Sequence, residues 1–254
     1  MKILLCFLLL HRLNLIFVSS YLKVENLPNY MQKEKKIVII IAGGKGLRMQ
    51  TETPKQFIEL QGKPILMHTM NVFFKYDNNI SIILVLPADQ IDYWKQLCEQ
   101  HHFSILHMIV EGGETRFHSV RNGLKHAQDN SLIAIHDGVR PLVNVETIEC
   151  CFDAATQYGN AVPVVDLVDS VRMVKGSESE IIDRNKLRLV QTPQVFDSQL
   201  LLKAYEQAFN PSFTDDASVV ETLGTKIHLV EGNRENIKIT TPIDIAVAEH
   251  LICQ

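Results

Sequence analysis

The stretch that decides the fold is IVIIIAGGKGLRMQTETPKQFIELQGKPIL, from Ile37 to Leu66. It begins with an apolar, β-branched run, Ile37 to Ile41, which predicts a central strand covered on both faces. The chain then turns through glycines at positions 43, 44 and 46. Glycines let backbone N–H groups approach an anion closely, and Arg48 and Lys55 follow with full positive charge. The stretch therefore predicts a loop that binds a polyphosphate.

Two better-known phosphate loops do not fit these letters. The P-loop needs Gly, then roughly four residues, then Gly-Lys-Ser/Thr, and that string is absent from the sequence. The dinucleotide fingerprint counted from Gly44 has Met49 where its third glycine should stand, and Pro54 interrupts the long helix that should follow. For the glycines alone, an ordinary tight turn between strand and helix remains an alternative.

Strand and helix patterns alternate along the rest of the chain. Strands are predicted at Ser81 to Leu86, Ile105 to Val110, Leu132 to Ile135, Ala161 to Val165 and Lys226 to Val230. Helices are predicted at Ile65 to Phe74, Ile91 to Gln100, Thr115 to Ala127, Val145 to Tyr158 and Ser198 to Ala208. This alternation indicates an α/β fold with a mostly parallel sheet, helices on both faces, and ligands at the carboxyl ends of the strands. Asp137 follows one of these strands directly, and His136 is expected to pack behind it.

One segment, 166–190, breaks the alternation with two strand-like pieces around the polar turn KGSESE. An isolated hairpin is only marginally stable in water, so this one is expected to lie on another surface. Near the C-terminus, TTPID predicts a helix start in which Thr241 caps, Pro242 begins the helix and Asp244 favours its positive end.

Composition bounds the class of protein. The chain has 254 residues, of which 46% are hydrophobic and 21% charged, enough to bury a full core. Its net charge of −4 gives no global attraction to nucleic acid or to an anionic membrane, so neither is expected as a stable partner. The five cysteines form no CxxC pair, and a reducing, cytoplasmic location is expected.

The N-terminal residues, 1–34, are set apart as an extension, and 35–254 as the domain. The apolar MKILLCFLLLHRLNLIFVSS could be a targeting segment, a membrane anchor, or an upstream extension from a mis-assigned start codon. The last is favoured, with the domain beginning at Met31 in MQKEKKIVIII.

The chain resembles the 2-C-methyl-D-erythritol 4-phosphate cytidylyltransferases, a family of isoprenoid precursor synthesis. Beyond the opening stretch, six further blocks carry the resemblance: EGGETRFHSVRNGL (111–124), IHDGVRPLV (135–143), DSVR (169–172), DRNKLRLVQTPQVF (183–196), FTDDAS (213–218) and NIKITTPIDIAVAE (236–249).

The resemblance implies a Rossmann-like nucleotidyltransferase fold with a protruding hairpin arm at 166–190, and transfer of CMP from CTP to a polyol phosphate. The catalytic residues it implies fall into two pairs. Arg48 and Lys55 would stabilise the transition state on the triphosphate, and Arg184 and Lys238 would position the methylerythritol phosphate. The substrate-binding positions it implies are Ala42, Gly43, Gly44, Gly113, Glu114, Ser119, Arg140, Ser170, Thr214 and Asp215, of which Gly113, Glu114 and Ser119 would contact cytosine.

The resemblance also implies Asp137 as the carboxylate near Mg²⁺, and a homodimer in which the arm reaches across to the partner. The alternative for the arm is an ordinary edge hairpin packed on its own subunit. The family most often has alanine where this chain has Gly138, which is expected to loosen that turn slightly. Ser170 and Arg172 replace a commoner Thr and Lys, which weakens the implied substrate contacts there.

Two alternatives stay open on the sequence. A ribitol 5-phosphate cytidylyltransferase would share most of these motifs and differ only in the acceptor. A non-catalytic nucleotide-binding regulator would be expected to lose Arg48, Lys55 or Asp137, and the chain keeps all three.

Overall fold

The computed structural model describes residues 35–43 and 53–253. The extension at 1–34 and the loop residues Gly44 and Arg48 lie outside these described residues.

Strands and helices alternate through the described chain. The strands are β1 (Lys35–Ile41), β2 (Glu59–Leu60), β3 (Lys63–Pro64), β4 (Ser81–Leu86), β5 (Met108–Glu111), β6 (Ser131–Asp137), β7 (Asn160–Asp166), β8 (Val171–Lys175), β9 (Glu178–Ile182), β10 (Arg188–Val190), β11 (Gln194–Asp197) and β12 (Leu229–Glu231). The α-helices are α1 (Ile65–Tyr76), α2 (Ile91–Gln100), α3 (Arg116–Leu124), α4 (Val145–Tyr158), α5 (Ser198–Tyr205), α6 (Asp216–Glu221) and α7 (Pro242–Ile252). Single 3₁₀ turns occupy Lys55–Phe57, Ala88–Gln90 and Arg184–Lys186.

The main sheet has the strand order β10-β7-β11-β6-β1-β4-β5, with β12 also paired to β7. Strands β6, β1, β4 and β5 run parallel to one another, whereas β11 is antiparallel to both of its neighbours, β6 and β7. The predicted mostly parallel sheet is confirmed. In register, Ile41 lies opposite both Val85 and Asp137, so the strand ends meet at one edge of the sheet.

Side chains of β1 alternate between two cores. Val38 and Ile40 point into a cluster built with α1, α2 and α4, while Ile37 and Ile39 point into a second cluster built with α3 and α5. Fully burying one such side chain stabilises the fold by about 1.5–3 kcal/mol. The apolar run therefore forms a central strand because both of its faces are covered by helices, as predicted.

Several predicted boundaries coincide with the observed ones, namely Ser81–Leu86, Ile91–Gln100 and Val145–Tyr158. The strand predicted from Ile105 begins only at Met108. Strand β11 had not been predicted because its apolar content is limited to Val195 and Phe196 between polar ends, and pairing on both edges defines it instead.

Strands β8 and β9 form a separate two-stranded antiparallel sheet. Lys175 lies opposite Glu178 across a two-residue turn, and Gly176 has φ +61°, the conformation a type II′ turn needs at its first central position. This hairpin is shorter than 166–190 because β10 joins the main sheet through β7. On the hairpin, Val174 is 72% exposed and Ile181 is 81% exposed.

Helix α7 begins as its sequence predicted. Thr241 is the N-cap and Pro242 the first helical residue. Asp244 Oδ2 accepts hydrogen bonds from the backbone N–H of Thr240 and of Thr241, each at 2.8 Å. No helix in the described part of the chain is long and apolar enough to cross a membrane.

Candidate active site

A cavity of about 520 Å³ opens at the carboxyl ends of β1, β4, β5 and β6. Eight residues named from the sequence line it: Ala42, Gly43, Lys55, Gly113, Glu114, Ser119, Asp137 and Lys238. They come from five separate segments of the chain, three of which end or follow the parallel strands β1, β5 and β6. The volume is in the range of ordinary small-molecule sites.

Asp137, the last residue of β6, is the centre of a charged cluster in the cavity wall. Its Oδ2 lies 3.0 Å from Lys238 Nζ and 3.2 Å from Arg140 Nε. Its Oδ1 has a longer contact, 3.8 Å to Arg116 Nε. Burial alone would raise the pKa of Asp137, but the charges of Arg116, Lys238 and Arg140 outweigh it and hold the pKa well below its usual range. The carboxylate is therefore ionised under all ordinary conditions.

Lys238 is held in place by backbone contacts on either side of it. Ile239 N–H donates to Val139 C=O at 3.0 Å, and Arg140 Nη1 donates to Asn236 C=O at 2.6 Å. The segment carrying Lys238 is thus fastened to the turn that follows Asp137, which explains why two residues a hundred positions apart in the chain meet.

His136 is fully buried behind Asp137, as expected from the sequence. Its Nε2 lies 3.1 Å from Arg140 C=O, which can only accept, so Nε2 carries the proton. Its Nδ1 then accepts from Thr192 Oγ1 at 3.1 Å, and that hydroxyl oxygen accepts from Asp137 N–H. Burial lowers the pKa of His136 to about 4. The neutral imidazole therefore bonds directly to the carbonyl of Arg140 and, through the Thr192 hydroxyl, to the backbone N–H of Asp137.

Lys55 enters the cavity from a single 3₁₀ turn. The next residue, Gln56, is fully buried and donates from Nε2 to Ala42 C=O at 2.8 Å. This bond fixes the start of the Lys55 turn against the end of β1.

The turn before α3 forms another wall. Ser119 Oγ accepts from Gly113 N–H at 3.0 Å. A Cβ on Gly113 would lie 2.4 Å from His118 Cβ, so a side chain there would displace the helix start. Glycine is required at this position for the close approach of turn and helix.

Thr214 and Asp215 lie in the turn before α6. Asp215 is the N-cap, and its carboxylate accepts from Ser218 N–H at 2.9 Å and from Gln194 Nε2 at 2.9 Å. These bonds give Asp215 a structural role whether or not it also contacts substrate.

Arg184 and Ser170 are not among the described residues that line the cavity. Arg184 opens an exposed 3₁₀ turn and donates to Val168 C=O, which places it at the base of the β8–β9 hairpin. Both residues belong to the hairpin side of the protein. Gly44 and Arg48 lie outside the described residues.

Gly138 does not face open space. A Cβ there would lie 2.9 Å from Ala42 Cβ and 3.1 Å from Leu66 Cδ1. An alanine methyl group at this position would therefore clash with Ala42 and Leu66. The glycine allows these side chains to pack closely against the turn, and the expected loosening of the turn is not observed.

The sequence alone indicated no role for Arg116 or Asp216. In the structure, Arg116 Nη1 and Nη2 donate to Asp216 Oδ1 and Oδ2 at 2.9 and 2.7 Å, and Arg116 also lies beside Asp137. Both residues stood in the motif blocks 111–124 and 213–218. A charged residue directly after a capping residue, Thr115 in one case and Asp215 in the other, was the available signal.

The donor set fits a divalent cation only in part. Within residues 35–43 and 53–253, no group of three or more His, Cys, Asp or Glu side chains could hold a metal ion. Asp137 offers one ionised oxygen, Oδ1, that is not in a close ion pair. A single carboxylate suits Mg²⁺ when substrate phosphates supply other ligands.

Known proteins resemble this chain over most of its length. A family profile described as 2-C-methyl-D-erythritol 4-phosphate cytidylyltransferase matches residues 36–254. The enzyme of that name from Bacteroides thetaiotaomicron is 56% identical over 218 residues, which cover 86% of this chain and 100% of the relative. Its counterpart from Bacteroides fragilis is 55% identical over 217 residues, covering 85% and 99%.

A solved structure is similar over the same range. The 4-diphosphocytidyl-2C-methyl-D-erythritol synthase from Anaerococcus prevotii superposes with a TM-score of 0.74 at 29% sequence identity, covering 87% of this chain and 99% of that one. Since the profile match spans most of the chain and more than half of the aligned residues are identical to those of a full-length relative, this chain belongs to the 2-C-methyl-D-erythritol 4-phosphate cytidylyltransferase family of nucleotidyltransferases.

Proposed function

We propose that this protein transfers CMP from CTP to 2-C-methyl-D-erythritol 4-phosphate, giving 4-diphosphocytidyl-2-C-methyl-D-erythritol and pyrophosphate in the non-mevalonate isoprenoid pathway. The observation that carries the proposal is one cavity lined by Lys55, Lys238 and the ionised Asp137, with Lys238 Nζ 3.0 Å from Asp137 Oδ2. The family match favours the methylerythritol acceptor over ribitol 5-phosphate.

The reaction forms a bond between an oxygen of the acceptor phosphate and the α-phosphorus of CTP, and breaks the bond from that phosphorus to pyrophosphate. The attacking oxygen is already an anion, so no protein nucleophile or strong base is needed. Neutralisation of charge and in-line positioning carry the catalysis.

Charge around Asp137 suits that requirement. Three cations, Arg116, Arg140 and Lys238, surround this one carboxylate. Asp216 matches one of them, which leaves two cations for the single carboxylate of Asp137. Fixed charges in a partly closed site stabilise developing negative charge without reorganising.

Each residue takes the role that the family resemblance implies. Lys55, with Arg48, stabilises the charge on the triphosphate, and Lys238, with Arg184, positions the acceptor phosphate. Gly113, Glu114 and Ser119 recognise cytosine in the wall before α3. Asp137 Oδ1 would help to hold Mg²⁺, which neutralises the triphosphate when bound.

The working unit in this proposal is a homodimer in the cytoplasm. Val174 and Ile181 lie on one face of the β8–β9 hairpin, and both are largely exposed. An apolar face on a hairpin of two strands is best stabilised by a partner surface. In that arrangement Ser170 and Arg184 of one protomer contribute to the acceptor site of its partner.

The cysteines described, Cys98, Cys150, Cys151 and Cys253, are free thiols, which suits a reducing compartment.

The test is turnover by the purified protein with CTP, UTP or ATP, each paired with 2-C-methyl-D-erythritol 4-phosphate or ribitol 5-phosphate. Pyrophosphate release is expected with CTP and the methylerythritol acceptor only. Lys238→Ala should lower its rate about 10²-fold or more, whereas Lys226→Ala, at an exposed lysine that does not line the cavity, should not. Preferential use of ribitol 5-phosphate would reassign the acceptor, and an unchanged rate in Lys238→Ala would reject the site.

A further inference from the structure

Arg116 joins two parts of the protein that are far apart in the chain. Its Nη1 and Nη2 donate to the two carboxylate oxygens of Asp216 at 2.9 and 2.7 Å. Asp216 is fully buried and also accepts from Tyr205 Oη at 2.6 Å. Two parallel bonds to one carboxylate fix both the distance and the orientation of the guanidinium group.

The charge of Arg116 is matched by Asp216, so its main contribution to the cavity is geometric. The remaining donor on the inner edge, Nε, faces Asp137 Oδ1 at 3.8 Å. One planar group thus lies between the carboxylate at the end of β6 and the carboxylate at the start of α6.

Asp216 directly follows Thr214 and Asp215, which the family resemblance implies as substrate-binding positions that close over the second substrate, the acceptor. Residues 213–215 are called the acceptor turn. Gln194 of β11 also fastens this turn, since it donates to Asp215 and accepts from Ala217 N–H at 2.8 Å. Gln194 is fully buried and lies next to β6 in the sheet. Gln194 therefore holds the turn through Asp215 and Ala217, and Arg116 holds it through Asp216.

Aromatic packing follows the same path. Phe117, the neighbour of Arg116, stacks on Phe213 with ring centroids 5.6 Å apart and on Tyr205 at 4.8 Å. The start of α3 thus contacts the acceptor turn through an ion pair and through stacked rings. Its preceding turn, at Gly113, lines the cavity at the positions proposed to recognise cytosine.

We propose that Arg116 is a positioning residue that sets the 213–215 turn against Asp137 and so aligns the acceptor phosphate with CTP. This inference rests on the proposed function. Arg116 lines the cavity and Asp216 directly follows the acceptor turn, so loosening the pair is expected to move that turn and to act on the acceptor first.

The test uses Asp216→Asn, which keeps the size of the side chain and removes the charge that orients Arg116. At saturating CTP, kcat/KM for 2-C-methyl-D-erythritol 4-phosphate is expected to fall about 10-fold to about 100-fold, the scale of a misplacement near the reacting groups. The dissociation constant for CTP, measured without acceptor, should stay near that of the unmodified protein. Arg116→Lys keeps a positive charge but loses the two hydrogen bonds to one carboxylate. It should likewise lower kcat/KM for the acceptor and leave the dissociation constant for CTP unchanged, and it replaces Asp216→Asn as the test if that variant does not fold.

Tyr205→Phe is the matched control, because it removes the third hydrogen bond to Asp216 and leaves the ion pair. It should lower thermal stability more than it changes the acceptor kcat/KM. Equal losses in Tyr205→Phe and Asp216→Asn, or a loss of CTP affinity in step with the loss of acceptor kcat/KM, would overturn the inference.

Hydrogen exchange separates this inference from the proposed function. Amides of residues 213–218 should exchange faster in Asp216→Asn, while those of 112–115 should not change. If the unmodified protein shows no turnover with the methylerythritol acceptor, the proposed function fails and the exchange result alone decides whether the pair holds the turn. Unchanged exchange at 213–218 would reject it.

Discussion

Lowering the pH from 7 to 4 should destabilise the protein through His136, and His136→Gln should remove that dependence. The folded protein holds this imidazole neutral, with a pKa lowered by burial from 6.5 to about 4. Between these values the unfolded chain binds a proton that the folded chain does not. The stabilisation is therefore complete above pH 6.5 and is lost as the pH falls towards 4. The difference of about 2.5 pKa units corresponds to about 3 kcal/mol.

The assay is urea unfolding at pH 7, 6, 5 and 4, with the free energy of unfolding extrapolated to water at each pH. Gln at position 136 can still donate to Arg140 C=O but cannot titrate. His68 and His107, whose pKa values burial also lowers, are present in both proteins, so the difference between the two pH curves isolates His136. Parallel curves for the two proteins would refute the reasoning, because His136 would then titrate alike in the folded and unfolded states.

Three further outcomes are expected. Lys55→Ala and Lys238→Ala should each lower turnover about 10²-fold or more while circular dichroism stays unchanged, the scale for losing one fixed stabilising charge; a normal rate of pyrophosphate release in either variant would contradict the assignment. Activity should vanish in excess chelator and return with Mg²⁺ or Mn²⁺, and Asp137→Asn should need a higher metal concentration for half-maximal rate; full activity in chelator would exclude this role. Ile181→Lys should dissociate the dimer in sedimentation velocity, whereas Leu106→Lys, an equally exposed apolar site outside the hairpin, should not; a fully active monomer in the unmodified protein would rule out the arrangement.

The sequence was sufficient for features that depend on neighbours in the chain. The apolar run at Ile37 to Ile41 predicted a central strand because burial on both faces requires such a run. The helix starting at Pro242 was readable because its capping residues are adjacent. His136 was correctly expected behind Asp137, since alternation along a strand places consecutive side chains on opposite faces.

Features that depend on distant pairing were not readable. Arg116 and Asp216 are 100 positions apart, and the residues around each one do not indicate that the two side chains pair. Strand β11 is defined by hydrogen bonds to two neighbours rather than by its own four residues. The crowding at Gly138 likewise depends on Leu66, which approaches it from another helix.

The position of β11 also constrains the order in which the chain can assemble. Strands β6 and β7 are joined by α4, yet β11 lies between them and comes from a segment that follows the hairpin. During synthesis, a chain that ends at β10 therefore lacks the strand that separates β7 from β6 in the finished sheet. Strand β11 pairs along both of its edges, so it can complete the sheet only once β6 and β7 are both in place. Insertion of β11 is expected to be a late, rate-limiting event, and substitutions at Val195 or Phe196 should slow refolding more than equally buried substitutions in β4.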